Sequence, residues 1–248
     1  MAYKDKSTSS DRKLMATFES YCESKKDAFY FVQIGANDGI TCDPIRQRIQ
    51  KYRWSGLMVE PVEHLYRRLV ALYANDPKLR FENAAIGISD GTMPFHFFPD
   101  ALDKHPDFPW WGKGMGSLLG AFDSPAHRLL AKGGFRMHET QVPCLTFGSL
   151  MIRHEVQSID LLQIDAEGFD GEILLSIDFT RWQPRFIRYE DRHIQRVYEQ
   201  GLTKYNAIDV TRHLSAAGYY IGSSSNGFDR FCMRINDLPD KEAELKRC

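Results

Sequence analysis

Apolar positions along the chain alternate between helical spacing and short continuous runs, and their order predicts an α/β fold. Between Asp11 and Lys26, Leu14, Met15, Phe18, Tyr21 and Cys22 share one helical face, which predicts an amphipathic helix packed on the main body. Phe29 to Ile34 reads as the first core strand, and Asp43 to Tyr52 as a helix with Pro44 in its first turn. Trp54 to Val59 is a second strand. After Pro61, a helix carries Val62, Leu65, Tyr66, Leu69, Val70 and Tyr73 at helical spacing. Leu79 to Ile88 and Thr92 to Phe98 are strand-like and flank Asp90-Gly91, so a hairpin is expected there.

From Pro99 to Gly134 the periodicity fails, apart from a short helix expected around Ala126 to Ala131. A segment this long and irregular is expected to be a lid or substrate loop. Gln141 to Leu145 is a strand, Phe147 to Arg153 a helix, Ile159 to Ile164 an almost wholly apolar strand, and Gly171 to Ser176 a helix. Arg185 to Tyr189 is a strand ending at Glu190-Asp191. Strands alternating with helices imply right-handed crossovers and a mainly parallel sheet covered on both faces. A helix over Tyr205 to Ala216 precedes strands Tyr219 to Gly222 and Phe228 to Ile235. Joined through Ser223 to Gly227, these form an antiparallel hairpin at one sheet edge, and Asp237 to Cys248 is a charged tail. The 248 residues are expected to fold as one domain, with 1–28 as a helical extension.

Composition narrows the function. The formal charge of −1 gives no bulk attraction to nucleic acid or to an anionic membrane, so neither is expected as a partner. Cys22, Cys42, Cys144, Cys232 and Cys248 are scattered with no Cys-x-x-Cys pair, which suits reduced thiols in a cytoplasmic protein. Neither a signal peptide nor a membrane-spanning run is visible.

Ligands of an open parallel sheet sit beyond the carboxyl ends of its strands. Polar residues cluster at those ends: Gly35 to Gly39, Glu60, Asn83, Asp165 to Glu167, and Glu190-Asp191. The turn Gly35-Ala36-Asn37-Asp38-Gly39 brings backbone close to a ligand or simply permits the strand-to-helix turn. Its Gly-x-x-x-Gly spacing differs from the Gly-x-Gly-x-x-Gly that seats a pyrophosphate, and Glu60 follows at the distance of a ribose-binding acid. A nucleoside without phosphates fits this pattern. Glu60 can also cap the following helix, and Glu167 either meets substrate or supports its turn.

Phe31 to Gly39, Val59-Glu60-Pro61, Asn83-Ala84-Ala85-Ile86-Gly87 and Leu162 to Leu175, with its Ile-Asp-x-Glu-Gly-Phe block, resemble the ordered motifs of FkbM-type S-adenosylmethionine-dependent methyltransferases. The resemblance spans roughly Phe29 to Asp191. It implies a class I methyltransferase (Rossmann-like) fold: a mainly parallel seven-stranded sheet, helices on both faces and a C-terminal antiparallel hairpin. It also implies S-adenosylmethionine as cofactor. Gly35, Ala36 and Asn37 would then face its methionine portion, Glu60 would bind its ribose, and Asn83 and Ala84 would lie near its adenine. Gly39, Pro61, Ser117, Asp165 and Glu167 complete the implied cofactor set. Gln33 replaces the aspartate more usual in the first strand.

Methyl transfer from a sulfonium to an alcohol requires in-line orientation and loss of the alcohol's proton. Asp165, Glu190 and His193 are the candidate catalytic groups, although His193 also reads as a solvated loop histidine. Asp165, Glu190 and Asp191 end neighbouring strands and offer oxygen ligands suited to Mg2+. His96, His105, His127, His138, His154 and His213 show no metal-site spacing. Phe108, Trp110 and Trp111 either stack on an acceptor or form a satellite core. Arg192, Arg196 and Lys204 read as a solvated face that an acidic acceptor could use. The expected activity is O-methylation of a small molecule, natural product or glycan. The rivals are a nicotinamide-dependent oxidoreductase and a non-catalytic nucleoside-binding module.

Overall fold

Seven strands form the main sheet of the computed structural model, which describes residues 8–223 and 228–237. The expected turn at 224–227 and tail from 238 onward lie outside the described residues. The strands are β1 (Tyr30–Ile34), β2 (Ser55–Val59), β3 (Leu79–Glu82), β8 (Leu161–Ile164), β9 (Phe186–Glu190), β10 (Tyr219–Ser223) and β11 (Asp229–Arg234). They lie in the order β10-β11-β9-β8-β1-β2-β3. Pairing is parallel from β3 through β9, and β11 runs antiparallel between β9 and β10. This is the mainly parallel, mixed α/β sheet that the resemblance implied, with the expected antiparallel hairpin at its edge.

Both faces are covered because side chains alternate across each strand. Val32, Leu57, Leu162 and Ile187 point to one core, closed by α5 (Phe147–Arg153), α6 (Asp170–Ser176) and α8 (Ala207–Ala216) through Leu150, Ile173 and Leu214. Phe31, Met58, Leu161 and Phe186 point to the other, under α1 (Ser9–Lys25), α2 (Arg46–Tyr52) and α3 (Glu63–Leu72). Thr8 and Asp11 form a reciprocal N-terminal capping box on α1, and the second Asp11 oxygen accepts from the Ser223 N–H at 2.8 Å, fastening the helix to the sheet edge. Phe18 meets Phe186 and Phe231 edge-on, while Phe29 stacks on Trp54 at 3.9 Å. Helix α2 starts at Arg46, later than expected, because Asp43 accepts from the Ile45 and Arg46 N–H groups and keeps Pro44 outside the first turn.

The expected strand 79–88 divides. Asn83 and Ala84 leave the main sheet, and β4 (Ala85–Gly87) enters a second sheet of order β4-β7-β5-β6, with β5 (Gly91–Phe97), β6 (Gly116–Ser117) and β7 (His138–Thr146). The expected hairpin across Asp90-Gly91 is corrected accordingly: Cys144 of β7 pairs with both Ala85 and Gly91, so β7 lies between the two strands. Asp90 instead accepts from the Thr146 N–H and the Ser149 hydroxyl, at 2.6 Å each. Within 99–134 only β6 and α4 (Pro125–Lys132) join two short 3-10 turns as regular structure, around a small core of Phe98, Phe108, Met115 and Leu130. An unforeseen short helix, α7 (Ile194–Glu199), follows β9.

Register places the chemistry. Ile34 pairs with Val59 and Ile164, Val59 with Glu82, and Ile164 with Tyr189. The residues that follow, Gly35, Glu60, Asn83, Asp165 and Glu190, therefore share one sheet edge.

Candidate functional site

The first turn is built by close strand packing. The Gly35 and Ala36 N–H groups both donate to the Val59 carbonyl at 3.0 Å, and Gly35 has φ +79°. A Cβ there would lie 1.9 Å from the Asp165 carbonyl oxygen, so only glycine lets β1 and β8 end side by side. Gly39 packs on α3 instead: its added Cβ would meet Leu69 at 2.8 Å.

Glu60 is 5 % exposed, and its two oxygens accept from the Asn37 N–H at 2.8 Å and the Val62 N–H at 2.9 Å. Burial raises its carboxyl from the ordinary 4.5 to about 7, against the lowering effect of these two bonds. Asn83 braces the acid's backbone, its amide donating to the Glu60 carbonyl at 2.8 Å and the Pro61 carbonyl at 3.2 Å.

Between these turns lies an open cavity whose empty space, with the solvent at its mouth included, is about 910 Å3. Gly35, Ala36, Asn37, Glu60, Pro61, Ala84, Asp165 and Glu167 line it, whereas Gly39, Asn83 and Ser117 do not. Among the described residues, Asp43, Glu60, Asp165 and Glu167 bring four carboxylates to its walls, and no lysine, arginine or histidine lines it. The Gln33 and Gln163 carbonyl oxygens and one Asp43 oxygen are buried here without a hydrogen-bond partner, so the walls present acceptors to whatever enters.

The turn after β8 is held from both sides. Glu167 and Gly168 are left-handed, with φ +48° and +97°. Such a turn persists only when its surroundings fix it. The buried Ser117 hydroxyl donates to the Glu167 carbonyl at 3.0 Å and accepts from the Leu119 N–H at 3.1 Å. Asp170, fully buried, accepts from the Ala166 and Glu190 N–H groups at 3.1 Å each, tying this turn to the end of β9.

A second cavity opens beside the first, with about 1370 Å3 of empty space when the solvent at its mouth is included. The two share Cys42, Pro44, Trp111, Gln163, Asp165 and Glu167 as walls. Glu190 and His193 line the second cavity, with Arg188, Arg192 and Phe228. His193 is 3 % exposed, which corrects the solvated-loop reading. Burial, Arg192, Arg196 and His127 push it down to about 3, so its ring is neutral at physiological pH. Burial, followed by Asp165, Glu167 and Asp170, pushes the Glu190 carboxyl upward.

Ligand atoms of Glu167, Glu190 and His193 lie within 4.8 Å of one another. The set fits a hard divalent cation poorly, because Arg192 already serves it: its Nε lies 2.9 Å from Glu190 Oε1 and 3.1 Å from His193 Nε2. Asp191 lines neither cavity and pairs with Arg230 at 2.8 Å. Magnesium is therefore not supported by this arrangement.

Residues 33–221 match the family model of the methyltransferase FkbM domain. The chain belongs to the FkbM methyltransferase family. Membership implies S-adenosylmethionine as the methyl donor. No curated protein matches the sequence. Similar solved structures include an FkbM methyltransferase from Methylobacillus flagellatus KT, at 10 % identity and a TM-score of 0.48 over 84 % of this chain and 44 % of that one. Aeropyrum pernix fibrillarin with natively bound S-adenosyl-L-methionine aligns at 11 % identity and 0.39 over 84 % and 66 %. Precorrin-6y C5,15-methyltransferase from Geobacter metallireducens GS-15 aligns at 10 % and 0.40 over 94 % and 93 %. The chain thus spans less than half the length of the M. flagellatus protein.

Several residues of this FkbM-family site escaped the sequence reading. Gln163 and Arg188 sit inside apolar strands, where a polar residue is itself a signal. Cys42, Thr41 and Asp43 lay in a turn with no distinguishing pattern, and Met115 and Leu129 reach the second cavity only through the fold of 99–134. Among the described residues, no helix is long and apolar enough to cross a membrane.

Proposed function

We propose that this FkbM-family chain is an S-adenosylmethionine-dependent O-methyltransferase acting on a hydroxyl of a small molecule or glycan. The first cavity is the donor site and the second the acceptor site. The observation that carries this reading is the first cavity's lining, among the described residues, of four carboxylates without a basic side chain. Such walls favour a ligand that is cationic and rich in hydrogen-bond donors, and they repel the pyrophosphate of a nicotinamide dinucleotide.

The residues fit the donor. Glu60, oriented by two backbone N–H groups, retains lone pairs for ribose hydroxyls. Gln33 and Gln163 offer buried oxygens to an ammonium group, and Ala84, Ile86 and Phe95 supply an apolar wall for a planar base. When bound, S-adenosylmethionine supplies an electrophilic methyl group on a sulfonium. The wall shared by the two cavities is where an acceptor oxygen meets it. Asp165 stands in that wall and takes the hydroxyl proton on a carboxylate oxygen. Arg192 holds Glu190 and His193 in place on the acceptor side, and Trp111 and Phe228 offer aromatic surface to the acceptor.

Isothermal titration with S-adenosylhomocysteine and NAD tests the donor. Binding of the former and not the latter is expected, and tight NAD binding alone would overturn the assignment. A screen of hydroxylated metabolites with labelled methyl donor identifies the acceptor, and transfer exclusively to nitrogen or carbon would remove the O-methyl reading.

A further inference from the structure

Asp165 and Glu167 are the two carboxylates that line both cavities, and neither has a cationic partner within ion-pair distance among the described residues. The nearby guanidinium groups are committed elsewhere, Arg188 to Asp229 and Arg192 to Glu190. Two further groups look into the same space. Gln163, 3 % exposed, lines both cavities and Gln33, 2 % exposed, lines the first, and each holds a carbonyl oxygen without a partner. The junction of the cavities is thus rich in acceptors and acidic groups, while the guanidinium groups nearest to it, Arg188 and Arg192, already pair with other carboxylates.

We infer that Asp165 and Glu167 form a charge-reading element that holds a cationic centre at the junction and thereby distinguishes the charged methyl donor from its uncharged thioether product. The inference rests on the donor assignment above and extends it. A sulfonium carries a formal positive charge that disappears when the methyl group leaves, while the rest of the molecule is unchanged. Contacts to the rest of the molecule therefore bind donor and product alike. Only groups that feel the charge at sulfur or touch the departing methyl can separate them.

The electrostatics agree with the geometry. Burial raises both carboxyls above their ordinary range, with Asp229 adding to the effect at Asp165 and Asp165 adding to it at Glu167; Arg188 and Arg192 offset this only in part at Asp165, as Arg192 does at Glu167. Carboxyls raised in this way favour their protonated forms in the empty site; a ligand cation stabilises the ionised pair, and loss of that charge favours protonation again. The turn carrying Glu167 is fixed by Ser117 and Asp170, so the pair cannot readily relax apart. Charge loss at sulfur is in this way coupled to product release.

Calorimetric titration of the whole chain with three ligands tests the element: S-adenosylmethionine, sinefungin, which bears an amine near the sulfonium position, and S-adenosylhomocysteine. Both cationic ligands are expected to bind at least tenfold more tightly than the uncharged product. In Glu167→Gln this preference should fall at least fivefold while the affinity for S-adenosylhomocysteine stays within threefold, which also shows that the variant is folded. Asp165→Asn should behave in the same direction. Product binding as tight as the cationic ligands in the unmodified chain would overturn the inference while leaving the donor assignment standing. An unchanged preference in both variants would overturn it as well, and failure of all three ligands to bind would sink both readings together.

Discussion

Replacing Glu60 by glutamine separates the two tasks assigned to this side chain, holding the first turn and binding the donor's ribose. The carboxylate accepts one N–H on each oxygen, from Asn37 and from Val62. Glutamine keeps one such bond and turns its NH2 toward the other donor. Each charge-assisted bond is worth about 1.5–3 kcal/mol, so losing one toward a ribose hydroxyl weakens S-adenosylhomocysteine binding about 10- to 150-fold. The pH dependence has two opposite signs. Burial raises this carboxyl from 4.5 to about 7, so in the ligand-free protein its contribution to stability is fully present below pH 4.5 and lost as pH rises through 7. That loss is on the order of 3 kcal/mol, and the glutamine variant lacks it. Over the same window the ionised carboxylate becomes the better acceptor, so ligand affinity rises. Thermal unfolding and calorimetry between pH 4.5 and 8 measure both trends. A glutamine variant that binds within threefold of the unmodified chain, with the same pH dependence, would refute the reasoning.

Ser117→Ala leaves the Glu167 carbonyl and the Leu119 N–H without their partner, costing about 2 kcal/mol and lowering Tm by roughly 4–8 °C; an unchanged melting curve would show that the turn does not depend on this hydroxyl. Gly35→Ala drives a methyl group into the Asp165 carbonyl and requires φ +79° of an L-residue, so S-adenosylhomocysteine binding should vanish, and wild-type affinity would contradict the packing argument. Turnover should survive exhaustive chelation, since Arg192 already bridges Glu190 and His193; loss that magnesium restores would count against this.

The sequence carried the main sheet well because its strands are short apolar runs ending in polar residues, and parallel register then aligns those ends whatever the loops do. Glu60, Asp165 and the first glycine turn were legible for that reason. The second sheet was not: a continuous run from Leu79 to Ile88 gives no sign that Asn83 spends its amide on the Glu60 and Pro61 carbonyls while the chain changes sheets. Nor does local pattern reveal that β7 pairs between β4 and β5, a long-range choice made by packing around Phe95, Val142 and Cys144. His193 looked solvated because its neighbours in sequence are charged. Its burial comes from Phe122, distant in the chain, whose ring lies 5.0 Å away.

The excursion that makes the second sheet leaves the main sheet after Glu82 and ends at Thr146, before α5 leads back to the main sheet at Leu161, and Gly87 pairs with Thr146 at its base. Its two ends are thus stapled together where they join the core. Chain added or removed beyond the staple alters loop closure only weakly and leaves the order of the seven strands untouched. The architecture therefore partitions evolutionary freedom: the wall that the excursion gives the second cavity can be lengthened, shortened or recoloured, while the ledge of Gly35, Glu60 and Asp165 stays where the parallel register puts it.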